Sequence, residues 1–375
     1  MTAIFFTHQV SKVTNGPTKF AQYLLRHAAG WAKLELTFVS ESEAGAADPS
    51  IVRPIKVSYP KSFEALGSLF RMYAYWKYVK RSAAHSDVIV FNHALDGVLT
   101  ALSARKPAVV GMLNDFKYLD AGLTSFRLHR KWLAYFFYRQ LEKLFVRRAA
   151  AVIVCSHALQ ARAEKEYACR GKVKVLYQGV DLSFWAYQKH EPINCAEHIK
   201  VLFVKSNPIV GGLSSLFEAI KQLPGFYFEV TLAGAQQERF GKIIAQHGKA
   251  PNLAVQYLGS QTQQQIRQLM YTNDVLCIPS ASEGLGVALI EGLATGIPVV
   301  STDTGGVPEV LNNGKCGWLA PADNPSLLAQ TLKACILNKE EACLRCKAGR
   351  EHVEAHFSAK NMAIQFEALL NETVS

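Results

Sequence analysis

Short runs of β-branched and aromatic residues recur along nearly the whole chain, each separated from the next by a stretch long enough for a helix. No other feature of the sequence limits the fold so strongly. The runs fall at residues 4–7, 34–39, 88–91, 108–112, 152–154 and 173–176. They resume at 201–204, 228–232, 253–257, 275–278, 299–301 and 318–319. Strands spaced by helix-length segments indicate βαβ units and parallel sheets. The alternation lapses at residues 181–195, where Tyr187-Gln188-Lys189-His190 and Pro192 read as a linker. A boundary is therefore expected within 185–198, giving domains of 1–188 and 189–357. With 375 residues, each half is large enough for its own core. Residues 358–370 form an amphipathic pattern with Met362, Ile364, Phe366, Leu369 and Leu370 as the apolar set.

Composition removes several classes. A chain that is 49% hydrophobic and 19% charged is not disordered. Its eight cysteines are scattered, and only Cys343-Leu344-Arg345-Cys346 has metal-like spacing, with no second pair to complete four ligands. No metal site and no cofactor are expected, and the thiols read as buried in a reducing compartment. The first twelve residues lack a secretory pattern, and no stretch approaches the roughly 18 apolar residues of a membrane span. The expectation is a soluble, cytoplasmic protein. Charge is divided unevenly: residues 1–190 hold 27 Lys and Arg against 13 Asp and Glu, while residues 191–375 hold 14 against 17. One half is thus built to face something anionic.

Ligands of open α/β sheets sit beyond the carboxyl ends of strands, against loops and helix N-termini. Three loops have suitable chemistry. Thr14-Asn15-Gly16-Pro17-Thr18 follows the first strand and leads into a helix, where Gly16 permits close backbone approach. A phosphate site and a plain strand–turn–helix connection both fit it. The stretch from Pro279 to Gly292 ends a buried strand and opens a helix. Gly284 and Gly286 let main-chain amides face a ligand there, and Glu283 and Glu291 are expected on one helix face, suited to a polyol. A helix-terminal charge and a solvated glutamate are the bland alternative. The third loop is Thr302-Asp303-Thr304-Gly305-Gly306-Val307-Pro308-Glu309, which also reads as a structural turn.

In order and spacing, Leu258-Gly259, Asn273-Asp274-Val275, Pro279-Ser280, Glu283-x7-Glu291, Gly296-Ile297-Pro298-Val299-Val300, Gly305-Gly306-Val307-Pro308-Glu309 and Gly317-Trp318-Leu319 closely resemble the retaining GT-B glycosyltransferases of family 4. The two glutamates are that family's signature. Tyr177-Gln178-Gly179-Val180-Asp181 and Phe357-Ser358 also match. The resemblance implies an α/β fold of two Rossmann-like domains around a deep cleft. Residues 1–188 would bind the acceptor and 189–357 the nucleotide sugar, while a final helix, 358–375, crosses back to the first domain. It implies that Glu283 holds donor-sugar hydroxyls and Glu291 the ribose. Amides of Gly284, Leu285, Gly286 and Val287 would approach the diphosphate, with Asn15 and Gly16 meeting the phosphates from the other domain. The implied chemistry is metal-independent substitution on one face of the sugar, with the leaving diphosphate helping to remove the acceptor's proton. The donor the resemblance favours is a UDP sugar, and the acceptor it implies is a saccharide, lipid-linked, in this family's cell-surface polysaccharide and lipopolysaccharide pathways.

Two departures from the family pattern stand out. Its diphosphate-clamping Arg and Lys fall here on Ser206 and Gly211, within Lys205-Ser206-Asn207-Pro208-Ile209-Val210-Gly211-Gly212. Lys205, one residue early, and the amides of Gly211 and Gly212 are the available replacements. Where the family often has His before Asp on the acceptor side, this chain has Asn114-Asp115, with His93 and Asp96 nearby. Catalytic candidates are therefore Glu283, Lys205, Asp115 and His93. Residues 66–81 and 126–148 mix aromatics with cations, which fits a peripheral contact with an anionic inner membrane leaflet. Packing of those aromatics on the sheet fits as well. Two other classes fit less of the sequence: a non-catalytic binding or scaffold protein with this fold, and a nucleic-acid binder, for which no motif is present.

Overall fold

The computed structural model describes residues 1–9, 16–28, 31, 33–41, 51–59, 66–83, 85–115, 130–190, 193 and 198–374, with only the backbone for 28 and 130–134. The chain divides into two units, Met1–Gly179 with Ala359–Ser375, and Val180–Ser358.

In the first unit the strands are β1 (Thr2–Thr7), β2 (Glu35–Ser40), β3 (Val52–Pro54), β4 (Val88–Phe91), β5 (Ala108–Leu113), β6 (Ala151–Val154) and β7 (Val173–Val175). Its helices are α1 (Gly16–Ala28), α2 (Gly67–Ser82), α3 (Val98–Ser103), α4 (Arg130–Arg148) and α5 (His157–Tyr167). The sheet order is β3-β2-β1-β4-β5-β6-β7, with every pairing parallel. In the second unit come β8 (Ile199–Val204), α6 (Leu213–Lys221), β9 (Phe228–Ala233), α7 (Gln237–His247), β10 (Leu253–Tyr257), α8 (Gln263–Thr272), β11 (Val275–Ile278), α9 (Val287–Thr295), β12 (Val299–Thr302), α10 (Val307–Val310), β13 (Trp318–Ala320), α11 (Pro325–Leu337) and α12 (Lys339–His356). This sheet is also parallel, in the order β10-β9-β8-β11-β12-β13.

All twelve expected strands form. Strands β4, β6, β11 and β12 are buried along their whole length, as a parallel sheet covered by helices requires. Strand β3 has no counterpart in the sequence reading. It is a three-residue edge strand with one buried residue and a terminal proline, too short to leave a pattern. Each sheet reverses its strand order once, between β1 and β4 and between β8 and β11. The connections leave in opposite directions there, so a crevice opens beyond the strand ends.

The last helix, α13 (Ala359–Val374), belongs to the first unit. Its buried stripe is Ala359, Met362, Ala363, Phe366 and Leu370. The Phe366 ring lies 6.0 Å from Phe5, 5.8 Å from Phe20 and 6.2 Å from Trp31. Ile364 does not join that face: it is 54% exposed, because the helical turn carries it off the stripe.

The units divide at Gly179/Val180, several residues before the expected 185–198. Residues 181–190 have a linker's composition, yet they dock on the second unit through their main-chain carbonyls. Arg267 donates to Phe184 O at 2.8 Å, Tyr271 Oη to Ala186 O at 2.7 Å and Arg350 to Trp185 O at 2.9 Å, and the Trp185 side chain is fully buried.

Seven cysteines are described, all with free thiols, and all but Cys343 are buried; Cys195 lies outside the described residues. Burial pushes the Cys346 thiol up to about 12, which leaves it unreactive at neutral pH. Among the described residues, no group of three or more His, Cys, Asp or Glu is placed to hold a metal ion.

Candidate active site

The second unit's switch point is built around Glu283. Lys205 directly follows β8, and residues 279–286 form the turn from β11 into α9. The Lys205 ammonium donates to Glu283 Oε2, and Ser280 Oγ donates to the same oxygen at 3.2 Å. Hydrogen bonds to main-chain carbonyls fix the turn: Gly306 N–H donates to Glu283 O at 3.2 Å and the Thr302 Oγ1 hydroxyl to Ser280 O at 2.5 Å. The ends of β8, β11 and β12 therefore hold one carboxylate by its backbone and its side chain together. With side chains 20% and 16% exposed, Lys205 and Glu283 are shielded but reachable.

Helix α9 begins at Val287, with Gly286 at φ 95° as its N-cap. Glu283 therefore stands in the preceding turn, and only Glu291 is on the helix. The two carboxylates do not share a helix face, contrary to the spacing argument. Glu291 is 1% exposed, so its side chain lies within the protein. Leu285 is buried and anchors the turn, while Gly284 and Val287 flank it.

Two glycines explain how Lys205 reaches Glu283. Gly212 caps α6 at φ 73°, and a Cβ there would fall 1.8 Å from Pro279 O. A Cβ on Gly211 would fall 2.8 Å from Lys205 Cγ and 2.7 Å from Phe203. The stem of Lys205 thus occupies the space that a side chain at 211 would take. Ser206 is exposed.

The first unit's switch point is more highly charged. His8 follows β1, Glu41 follows β2, and Asn92 and His93 follow β4. A 3-10 turn, Ala94–Gly97, then carries the buried Asp96. His8 Nε2 lies 2.7 Å from Asp96 Oδ2, and the His8 ring stacks on His93 with centroids 4.4 Å apart. From α2, Arg71 pairs with Glu41 and lies 3.9 Å from Asp96, while Tyr75 Oη donates to Glu41 at 2.6 Å. Burial alone would raise the Asp96 carboxyl. The hydrogen bond from His8 and the charges of His8, His93 and Arg71 instead hold it below its ordinary range.

Of the residues expected on this side, His93 joins the cluster and Asp115 is exposed just beyond β5. Gly16 begins α1, where a Cβ would meet Gln178 Oε1 at 2.9 Å. Asn15 lies outside the described residues. His8 was not among the sequence candidates. The signal that could have found it is general: a polar residue directly after a buried strand.

Two doubly wound units in one chain, each with polar groups collected at its switch point, make up the GT-B fold. Sucrose-phosphate synthase from Thermosynechococcus elongatus superposes with a TM-score of 0.81 at 17% identity, over 99% of this chain and 98% of that one. HepE of Anabaena, solved in complex with UDP-glucose, gives 0.73 at 19% identity, over 99% and 100%. The profile for Glycosyl transferases group 1 matches residues 188–352, and that for Glycosyltransferase Family 4 matches residues 14–184. The chain belongs to the family 4 glycosyltransferases. WcaL of Escherichia coli K12, a glycosyltransferase named for colanic acid biosynthesis, is 29% identical over 62% of this chain and 58% of its own length. AmsK of Erwinia amylovora, named for amylovoran biosynthesis, is 27% identical over 50% and 47%. The chain thus matches about half the length of these curated relatives.

Proposed function

We propose that this protein is a retaining glycosyltransferase that moves a hexose from a UDP sugar to a saccharide acceptor in cell-surface polysaccharide synthesis. The observation that carries this is the Lys205–Glu283 pair, in which a lysine fills the space left at Gly211. On donor binding, the Lys205 ammonium turns to the diphosphate and offsets its charge, and Glu283 is released to accept hydroxyls of the donor sugar. The N-terminus of α9 adds main-chain donors and the positive end of its dipole. Glu291 meets the ribose once its side chain turns outward. In the transfer step the acceptor oxygen bonds to the anomeric carbon as the bond to the phosphate oxygen breaks. The diphosphate leaves with that electron pair and takes the acceptor's proton. Preorganised charge is the main source of rate in such a step.

The relatives named for colanic acid and amylovoran biosynthesis support a saccharide acceptor. We further assign the protein to the inner face of the cytoplasmic membrane, where lipid-linked saccharides are extended. In support, Phe70 and Tyr73 of α2, Leu102 of α3 and Tyr135, Phe136 and Phe137 of α4 are exposed on helices packed in that order. Lys77 and Lys80 lie over Tyr73 and Trp76. Aromatics beside cations suit an anionic interface. Among the described residues no helix is long and apolar enough to cross a membrane. Residues 126–129 and the side chains of 130–134, also expected in this surface, lie outside the description.

Calorimetry of the purified protein against UDP, GDP, ADP and their sugars tests the donor assignment. Selective binding of UDP and UDP-glucose is expected. Binding of none would favour a non-catalytic protein of this fold, a reading that the exposed Ser206 and the bare Gly211 keep in view. Flotation with phosphatidylglycerol vesicles, but not with phosphatidylcholine vesicles, is expected for the membrane contact.

A further inference from the structure

A recess of about 290 Å³ lies within the second unit, between the docked segment that carries Tyr187 and Lys189 and the start of α12. Pro298, one of its lining residues, stands directly before β12. The Glu283 crevice lies beyond the carboxyl ends of the strands, whereas Pro298 marks the amino end of β12. The recess is therefore no part of the candidate active site.

Its lining has two characters. Ile193, Pro298, Ala342 and Cys346 are buried and give it an apolar floor. Lys189, Lys339 and Lys347 are exposed and stand at its rim, and none of the three has an ion-pair partner among the described residues. Among those residues no carboxylate lines it. In the first turn of α12, Glu341 accepts from Arg345 at 2.7 Å, and Asp274, whose charge reaches the His190 ring, accepts from Lys200 N–H at 2.7 Å. Burial lowers the proton affinity of His190, so this ring forms an uncharged wall at neutral pH.

Three ammonium groups around one hollow repel one another, and an anion placed among them relieves that repulsion. The floor gains in turn when apolar surface displaces water from it. A ligand that meets both demands has one anionic end and an apolar body. At about 30 Å³ for each water-sized group, roughly ten heavy atoms fill the recess, near the small end of the range for ligand sites.

We propose that this recess binds a small anionic amphiphile, a carboxylate with an apolar body of about eight carbons. Its head lies among Lys189, Lys339 and Lys347, and its tail lies against Ile193, Pro298 and Ala342. The site does not rest on the transfer reaction proposed above.

Cys343 supplies a reporter, because it lines the recess and is the exposed thiol among the described cysteines. Octanoate, octanol and octyltrimethylammonium share one tail and differ in charge. Calorimetry is expected to show octanoate binding about fivefold more tightly than either of the others. Saturating octanoate should also slow alkylation of Cys343 by iodoacetamide about fivefold, read by peptide mass spectrometry. Lys339→Gln combined with Lys347→Gln should weaken octanoate about fivefold, with octanol and UDP each staying within about twofold of wild type. Equal affinity for the three tails, no protection of Cys343, or unchanged octanoate binding by the double variant overturns the site. The comparison of tails needs no variant, so it decides even where the double variant does not fold. Wild-type protein that gives the octanoate pattern but binds neither UDP nor UDP-glucose supports this site and sinks only the transferase reading.

Discussion

Beyond β1 and β4 the first unit gathers two carboxylates, a guanidinium and two imidazoles, whereas beyond β8 and β11 the second holds one ammonium–carboxylate pair among glycines. Both sites arise from the same strand reversal in a parallel sheet. In the first, the charged side chains bind one another, and Arg71 bridging Glu41 and Asp96 stiffens the crevice. In the second, the backbone supplies the rigidity, through Gly212 against Pro279 and the carbonyl of Glu283 held by Gly306. Lys205 and Glu283 satisfy each other in this structure; in the function proposed above, the donor would replace each as the other's partner.

The sharpest way to break this contrast is to damage one unit and read the other. Phe366→Ala should cost the first unit about 3–5 kcal/mol by opening a cavity among Phe5, Phe20 and Trp31. Calorimetric unfolding should show one transition lowered, with UDP binding by the second unit unchanged. Glu283→Gln should lower transfer, followed by UDP release, roughly 10²-fold while leaving the unfolding temperature in place. Near-normal turnover would remove Glu283 from the site. Lys205→Ala should weaken UDP-sugar binding about tenfold, and unchanged affinity would return Lys205 to a purely structural pair.

The smallest effect concerns acid. Asp96 is held below its ordinary 3.8 in the folded protein, so its contribution is full above that value and is lost as pH falls through the lower folded-state value. Unfolding temperatures between pH 5 and pH 2.5 should therefore fall less steeply for Asp96→Asn than for wild type (about pH 4 marking the start of the difference). Parallel curves would mean that Asp96 holds its proton equally in both states.

Much of the fold was legible because buried parallel strands leave continuous apolar runs, and twelve of them stand out by composition alone. What escaped did so for identifiable reasons. The docking of residues 181–190 depends on Arg267, Tyr271 and Arg350 reaching main-chain carbonyls, which carry no side-chain signature. Ile364 satisfies an apolar pattern but lies on the outer face of α13. At the site, Glu283 was legible from its motif, yet its neighbour Lys205 is 78 residues away in the chain. His8 and Asp96 are 88 residues apart, and only the pairing of β1 with β4 brings them together.

The place of α13 also orders events during synthesis. The second unit is one uninterrupted segment, Val180–Ser358, and can close as soon as it has left the ribosome. The first unit is begun earlier but keeps Phe5 and Phe20 uncovered until Phe366 arrives from the final helix. The unit whose strands come earlier in the sequence is therefore the later to be finished, and a nascent chain halted before residue 359 lacks the Phe366 ring that packs beside Phe5 and Phe20.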